Sequence, residues 1–138
     1  MNRRQTLKLL GATALVGVAG MPTIASAAAS EMVVVVKIAG IPWFNALEVG
    51  VKKAGAEFGI NASMVGPSSV DPAQQVKLIE DLIAKKVAVI GLVPLDVKVT
   101  EPVLKRAQAA GIKVITHEGP EQAGRDWNVE LIDSVVFG

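Results

Sequence analysis

Apolar runs separated by segments of helical periodicity set the pattern of the chain from Met32 onward. Four runs, most of them rich in Val and Ile, lie at residues 33–36, 62–65, 87–93 and 112–115, at intervals of about 25 residues. A polar loop then leads to a fifth predicted strand at 127–132. Continuous apolar strands that alternate with helices are typical of a parallel sheet covered on both faces. The pattern therefore predicts an α/β fold with a doubly wound, mostly parallel sheet of five strands.

The three intervening helices are marked by signals at their ends. Gly59 ends the first helix, after four apolar residues whose spacing places them on one face: Leu47, Val51, Ala54 and Phe58. Asp71 caps the second helix, with Pro72 at its first position. The third is predicted to begin near residues 100–102 and to end at Gly111. Helices that lead through glycine directly into a strand indicate a repeated β-α unit.

Residues 1–27 have the three parts of an export signal. A basic start is followed by an apolar stretch at 9–24 and by Ala25-Ser26-Ala27, a small-x-small cleavage site. We expect cleavage after Ala27, which leaves no stable membrane anchor and places a domain at 28–138 in the periplasm. An uncleaved anchor is the less favoured alternative, because the stretch is rich in Gly and Ala.

The basic start also resembles a twin-arginine motif at Arg3-Arg4, although Thr6 stands where that motif has a large apolar residue. Both the twin-arginine and the general export routes therefore remain open. Residues 28–138 hold eleven of the 14 basic residues and all 13 acidic ones, a net charge of −2. This balance argues against a nucleic-acid partner. Their length suits one domain, and the absence of cysteine excludes disulfides and a lipid on cysteine.

The loops at the carboxyl ends of the predicted strands carry no motif for catalysis. No GxGxxG or GxxxxGK[ST] phosphate loop is present, and there is no nucleophile elbow. His117 is the only histidine, too little for a catalytic triad or a zinc site. The sequence thus predicts a binding protein rather than an enzyme, without cofactor or metal.

Ligands of open parallel sheets bind at the carboxyl ends of the strands, and four residues there are candidate contacts: Lys37, Trp43, Phe44 and Glu118. Aromatic rings flanked by charged groups suit a sugar, whose C–H face packs on a ring while its hydroxyls take hydrogen bonds. The alternatives are core packing for the rings and solvated charges for Lys37 and Glu118. His117 could line the loop or pack at its edge, and Asp96 is better explained as a turn or cap residue.

Three stretches carry a resemblance to a known family. They are residues 37–45 with Pro42-Trp43-Phe44, residues 66–79 with Gly66-Pro67 and Gln74-Gln75, and residues 102–116. In order and spacing they resemble the N-terminal lobe of periplasmic sugar-binding proteins of ABC transporters, the type I ribose-binding-like family. The second and third stretches look closest to the branch that binds rhamnose or autoinducer-2.

This resemblance implies a flavodoxin-like strand order and a solute-binding component of an ABC importer, whose partners are a permease and a sugar or autoinducer-2-like ligand. It places Lys37 on the ligand, with Trp43 and Phe44 stacked on it. Glu118 stands where the family has a shorter aspartate that bonds ligand hydroxyls, which bears on ligand identity. The alternative within this fold is a periplasmic sugar or autoinducer-2 sensor for signalling. A small exported enzyme and a cytoplasmic sugar-responsive repressor are less favoured, because catalytic motifs and a helix-turn-helix are absent from the sequence.

The family binds its ligand between two lobes, whereas the resemblance covers one. We therefore expect a truncated lobe or fragment that binds weakly at best alone. The absent return strands of the first lobe should leave one sheet edge and part of one face exposed.

Overall fold

Strands and helices alternate through residues 30–130, the part of the chain that this computed structural model describes. The strands are β1 (Glu31–Val35), β2 (Asn61–Val65), β3 (Val89–Leu92), β4 (Lys113–His117) and β5 (Trp127–Val129). The helices are α1 (Pro42–Phe58), α2 (Pro72–Lys85) and α3 (Val97–Ala109). The predicted export signal at 1–27 and residues 131–138, with the end of the predicted fifth strand, lie outside the described residues.

All neighbouring strands pair in parallel, in the order β2-β1-β3-β4-β5. This is the flavodoxin-like order, in which β1 and β3 are central and the chain direction across the sheet reverses after β2. The predicted α/β fold with a five-stranded parallel sheet is confirmed. Parallel pairing places the carboxyl ends of all five strands along one edge, which we call the ligand edge.

The larger part of the core lies between the sheet and the helices α2 and α3. Almost fully buried side chains from β1, β3 and β4 pack there against side chains from the two helices. The strand residues are Val33, Val35, Ile90, Leu92 and Val114, and the helix residues are Ile79, Leu82, Val103, Leu104 and Ala107. Within each strand only every second residue belongs to this cluster, because successive side chains point to opposite faces of the sheet. Burial of this apolar surface is the main contribution to the stability of the domain.

Helix α1 covers the opposite face with a smaller cluster of buried side chains: Val34, Val36, Phe44 and Val93. The four residues that share one face of this helix are not equally buried, since Leu47 and Val51 are half-buried, Ala54 is exposed and Phe58 is 71% exposed. Gly55 is buried instead, and a Cβ there would lie 2.7 Å from the Ala62 Cβ. The helix approaches the sheet most closely at this glycine, so Ala54 and Phe58 flank the contact.

Helix α3 begins three residues earlier than the sequence signals predict. Asp96 is its N-cap, with the side-chain Oδ1 accepting a hydrogen bond of 3.0 Å from the Val99 amide. The interpretation of Asp96 as a cap is confirmed, as is that of Asp71 on α2. Pro102 lies inside the helix rather than at its start. Pro102 is exposed, and it has no N–H to donate to the carbonyl four residues earlier in the helix.

Candidate functional site

An ion pair between Lys37 and Glu118 lies at the ligand edge. Lys37 follows β1 and Glu118 follows β4, with β3 between these two strands in the sheet. The Lys37 Nζ lies 2.7 Å from the Glu118 Oε2, and the side chains are 35% and 38% exposed. The two predicted charged residues thus meet across the end of β3 while remaining accessible to solvent. Together they offer donors and acceptors for a polar ligand.

The backbone around Glu118 is held in an unusual conformation. Glu118 has φ of +56°, in the left-handed region that a non-glycine residue seldom occupies. Gly119 packs against the loop after β3, so that a Cβ at Gly119 would lie 2.9 Å from the Pro94 Cγ. This close approach requires glycine and fixes the turn that presents Glu118 at the ligand edge.

The two adjacent aromatics occupy different environments. Trp43 lies in the first turn of α1 and is 63% exposed, whereas Phe44 is 5% exposed and packs with Val34, Val36 and Val93. Phe44 therefore anchors the start of α1 on the sheet, as the core-packing alternative predicts. The Trp43 ring is free of the core and available to a ligand at this end of the helix.

The loop between β4 and β5 is fixed by two carboxylates. The Glu101 Oε2 accepts hydrogen bonds from the amides of Ala123 and Gly124 and from the Gln122 side chain. Burial raises the pKa of Glu101, but the hydrogen bonds from Gly124 and Gln122, with the Lys105 ammonium, together hold it below its ordinary value of 4.5. These contacts stabilise the charged form and join the loop to α3.

Asp126 joins the C-terminal end of the same loop to β4. Its Oδ2 accepts a hydrogen bond of 2.9 Å from the Val114 amide, and its Oδ1 lies 3.0 Å from the Lys113 Nζ. The Val114 amide is the largest cause of a lowered pKa for Asp126, and the Lys113 and Gln108 contacts add to it against the effect of burial. The loop that follows Glu118 is thus held at residues 122–124 and at Asp126.

His117 adds a side-chain contact between β4 and the edge strand β5, which also pair as neighbouring strands. Its Nδ1 lies 2.7 Å from the backbone oxygen of Val129. Because a carbonyl oxygen only accepts, the Nδ1 carries the proton in this contact. The structure therefore assigns His117 to the edge of the loop, one of the two positions that the sequence left open.

Gln75 contacts the ligand edge, although the sequence indicated it only through its place in a family-like stretch. It is fully buried in the first turn of α2 and bonds the backbone beyond both β1 and β3. A signal was available, because Gln75, Ile79 and Leu82 share the apolar stripe of α2. A polar residue on such a stripe must find buried partners.

Residues 30–130 contain no group of three or more His, Cys, Asp or Glu side chains arranged to hold a metal ion. None of the helices in the same residues is both long and apolar enough to cross a membrane.

A family model described as a periplasmic binding protein domain matches residues 32–138. The fold is also similar to that of LsrB from Clostridium saccharobutylicum in complex with AI-2, with a TM-score of 0.70 and 23% identity over 72% of this chain and 31% of that one.

Two further solved structures are similar. One is an ABC transporter solute-binding protein from Burkholderia graminis in complex with D-arabinose, with a TM-score of 0.66 and 33% identity over 71% of this chain and 34% of that one. The other is from Clostridium phytofermentas with bound L-rhamnose, with a TM-score of 0.65 and 24% identity over 75% of this chain and 32% of that one. The chain thus spans about a third of the length of these proteins.

Proposed function

Because the chain belongs to the periplasmic binding protein family, we propose that it is the first ligand-binding lobe of a solute-binding component of an ABC importer. The ligand is a sugar or sugar-like small molecule, captured in the periplasm and delivered to a permease. The observation that carries this proposal is the accessible Lys37–Glu118 pair at the ligand edge of a parallel sheet. The neighbours with bound D-arabinose, L-rhamnose and AI-2 support a small polyhydroxylated ligand.

Each site residue has a defined part in this proposal. The exposed Trp43 ring packs on the apolar face of the ligand, and the Lys37 ammonium and Glu118 carboxylate bond its hydroxyls. Phe44 contributes a ring edge at most, because it is buried in the core, and its main effect is to hold the first turn of α1 in place. A second lobe supplies the opposite wall of the cleft.

The proposal includes export with removal of residues 1–27. The Ala25-Ser26-Ala27 site follows an apolar stretch that is rich in glycine and alanine. An apolar stretch followed by a small-residue site is typical of cleaved export signals. N-terminal sequencing of material recovered from the periplasm should give Ala28 as the first residue. An intact Met1 in the membrane fraction would contradict cleavage.

Calorimetric titration of a two-lobe chimera tests the binding function. Residues 28–130 are joined to the second lobe of a related protein and titrated with L-rhamnose, D-ribose and autoinducer-2. One wall leaves most of a small ligand in water, so we expect measurable affinity only in the chimera. Trp43→Ala should weaken binding by about 1–3 kcal/mol through loss of the stacking surface.

Trp127→Ala is the matched control, because Trp127 is also exposed but lies on the edge strand β5. Its affinity should equal that of the unmodified chimera. Unchanged affinity in Trp43→Ala would remove Trp43 from the site. A chimera that folds and binds none of the three ligands would contradict the proposed ligand class.

A further inference from the structure

We propose that Gln75 is the positioning residue that sets the spacing between the β1 and β3 loops at the ligand edge. The inference rests on the proposed binding function, because it assigns Gln75 a part in shaping that site. Gln75 is fully buried and lies on α2, so it has no access to a ligand itself. It acts through the backbone of the two central strands.

The side-chain amide of Gln75 bridges the ends of β1 and β3. Its Nε2 donates to the Val36 backbone oxygen at 3.1 Å and to the Val93 backbone oxygen at 2.9 Å. Its Oε1 accepts from the Leu95 amide at 2.9 Å. The two donor hydrogens and the acceptor oxygen are therefore all used, and the backbone groups they bond are ones that the ends of the sheet ladder would otherwise leave unpaired.

Each of these contacts adjoins a residue that matters at the ligand edge. Val36 immediately precedes Lys37, and Leu95 immediately precedes Asp96, the cap of α3. The Gln75 amide therefore fixes the backbone position from which Lys37 extends after β1. It also fixes the position at which the chain after β3 enters α3. The Lys37–Glu118 pair spans the end of β3, so its separation depends on this same spacing.

Only a primary amide of this length satisfies all three partners. Glutamate has no donor for the two carbonyl oxygens when ionised, methionine has neither donor nor strong acceptor, and asparagine is one methylene shorter. An unpaired buried carbonyl or amide is costly, so the loops would shift to find water. We therefore expect the substitution to change loop geometry and ligand affinity together.

The neighbouring Gln74 provides a matched control. It has the same side chain on the same turn, but it bonds only Ser68, Ser69 and Asp71 near the start of α2. It touches neither β1 nor β3 through these bonds. Gln74→Met and Gln75→Met therefore remove the same chemical group and differ in whether the ends of the two central strands are joined.

Amide hydrogen exchange by NMR on the chain from Ala28 tests the geometry without a ligand. In Gln75→Met we expect exchange at Leu95 to accelerate at least tenfold relative to the Val93 amide, which bonds the Val35 oxygen within the sheet. The backbone of residues 37–41 should lose order as well. Gln74→Met should leave both unchanged. Protection at Leu95 equal to that of the unmodified chain would overturn the proposal.

Gln75→Glu tests the assigned contacts separately from a general loss of stability. It replaces Gln75→Met in the test if that variant does not fold. Its carboxylate still accepts from Leu95 but faces two carbonyl oxygens, so burial and these oxygens raise its pKa above the unfolded value. The protonated group regains a donor, so the variant should be more stable at pH 5 than at pH 7, relative to the unmodified chain. A pH-independent difference would contradict the assigned contacts.

Affinity in the two-lobe chimera, probed with L-rhamnose, D-ribose and autoinducer-2, completes the test. We expect Gln75→Met to weaken binding at least fivefold and Gln74→Met by less than twofold. Equal affinities for the two variants would overturn the positioning role even if exchange at Leu95 changes. If an unmodified chimera that folds binds none of these probes, the proposed ligand class fails, and the exchange and pH results alone decide whether Gln75 sets the loop spacing.

Discussion

The two faces of the sheet are buried to different extents. The face under α2 and α3 holds a large cluster of nearly inaccessible residues, whereas the face under α1 holds four buried side chains. Two helices cover one face and a single helix covers the other in residues 30–130. The same side chain therefore contributes different amounts of stability depending on the face on which it lies.

The difference is greatest toward β4 and β5. Ile115 and Trp127 are paired in register and point to the α1 side, where Ile115 is half-buried and Trp127 is 58% exposed. Val129 on the same side is also exposed. Helix α1 lies over β1 and β2, and the described residues place no helix over this part of the face. Stability should therefore depend mainly on the α2/α3 side.

A pair of leucine truncations tests this difference most directly. Leu104 on α3 is fully buried in the larger cluster, and Leu47 on α1 is half-buried beside the smaller one. Leu104→Ala should lower the free energy of unfolding by about 2–5 kcal/mol, through lost transfer energy and a cavity. Leu47→Ala should cost about half of that or less. Urea denaturation of both variants measures the two losses of unfolding free energy. Equal losses would contradict the difference in burial between the two faces.

Two glycines of α1 give the next largest contrast. A Cβ at Gly55 would lie 2.8 Å from the Ile60 oxygen and closer still to Ala62, whereas one at Gly50 would contact nothing within 4 Å. Gly55→Ala should therefore destabilise by about 1–3 kcal/mol through overpacking against β2. Gly50→Ala should stabilise by about 0.5–1 kcal/mol, because alanine is the better helix former. Thermal unfolding of both variants checks the opposite signs.

The contrast at Gly55 also shows where prediction from sequence succeeds and fails. The strands and their parallel order follow from apolar runs and helical spacing, which are local properties. The buried face of α1 does not, because Phe58 has the right spacing and lies beyond the close approach at Gly55. That approach depends on how the helix docks on β2, a tertiary contact that spacing does not encode.

The candidate site also has features that the sequence predicts and features that depend on tertiary contacts. Lys37 and Glu118 were predictable as loop residues, because parallel strands bring their carboxyl ends to one edge. Their direct pairing across β3 was not, since it depends on the turn at Glu118 and on Gly119 against Pro94. Gln75 was indicated only by its place in a family-like stretch, although a polar residue on the apolar stripe of α2 was an available signal. Its partners are backbone atoms, which leave no mark in the sequence.

On the α2/α3 side, hydrogen bonds from the loop after β4 to the Glu101 carboxylate also stabilise the fold. Their contribution to stability should depend on pH. Glu101 has a pKa lowered in the folded state, so its contribution to stability is full above its unfolded value of about 4.5 and is lost as the pH falls through the folded value. Glu101→Gln keeps the shape and removes the charge. We expect a loss of about 1 kcal/mol at pH 7 and a smaller loss at pH 3, because the contribution of the charge falls as the pH drops below the unfolded value.

Urea denaturation at the two pH values measures this prediction. Glu57→Gln on the exposed side of α1 is the control and should change little at either pH. A loss at pH 3 as large as that at pH 7 would show that the charge on Glu101 does not stabilise the loop.

The exposed part of the α1 side should affect association more than folding. Trp127 and Val129 lie together on the edge strand, and exposed apolar residues on an unpaired edge favour self-association. We expect the chain from Ala28 to associate in a concentration-dependent way in sedimentation velocity, and Trp127→Lys to reduce this with a change of less than about 0.5 kcal/mol in unfolding free energy. Trp43→Lys, which places the same charge on an exposed tryptophan at the ligand edge, should leave association unchanged. A stable, cooperative monomer at all concentrations would mean that this face needs no cover, and that the residues from 28 onward form a self-sufficient domain.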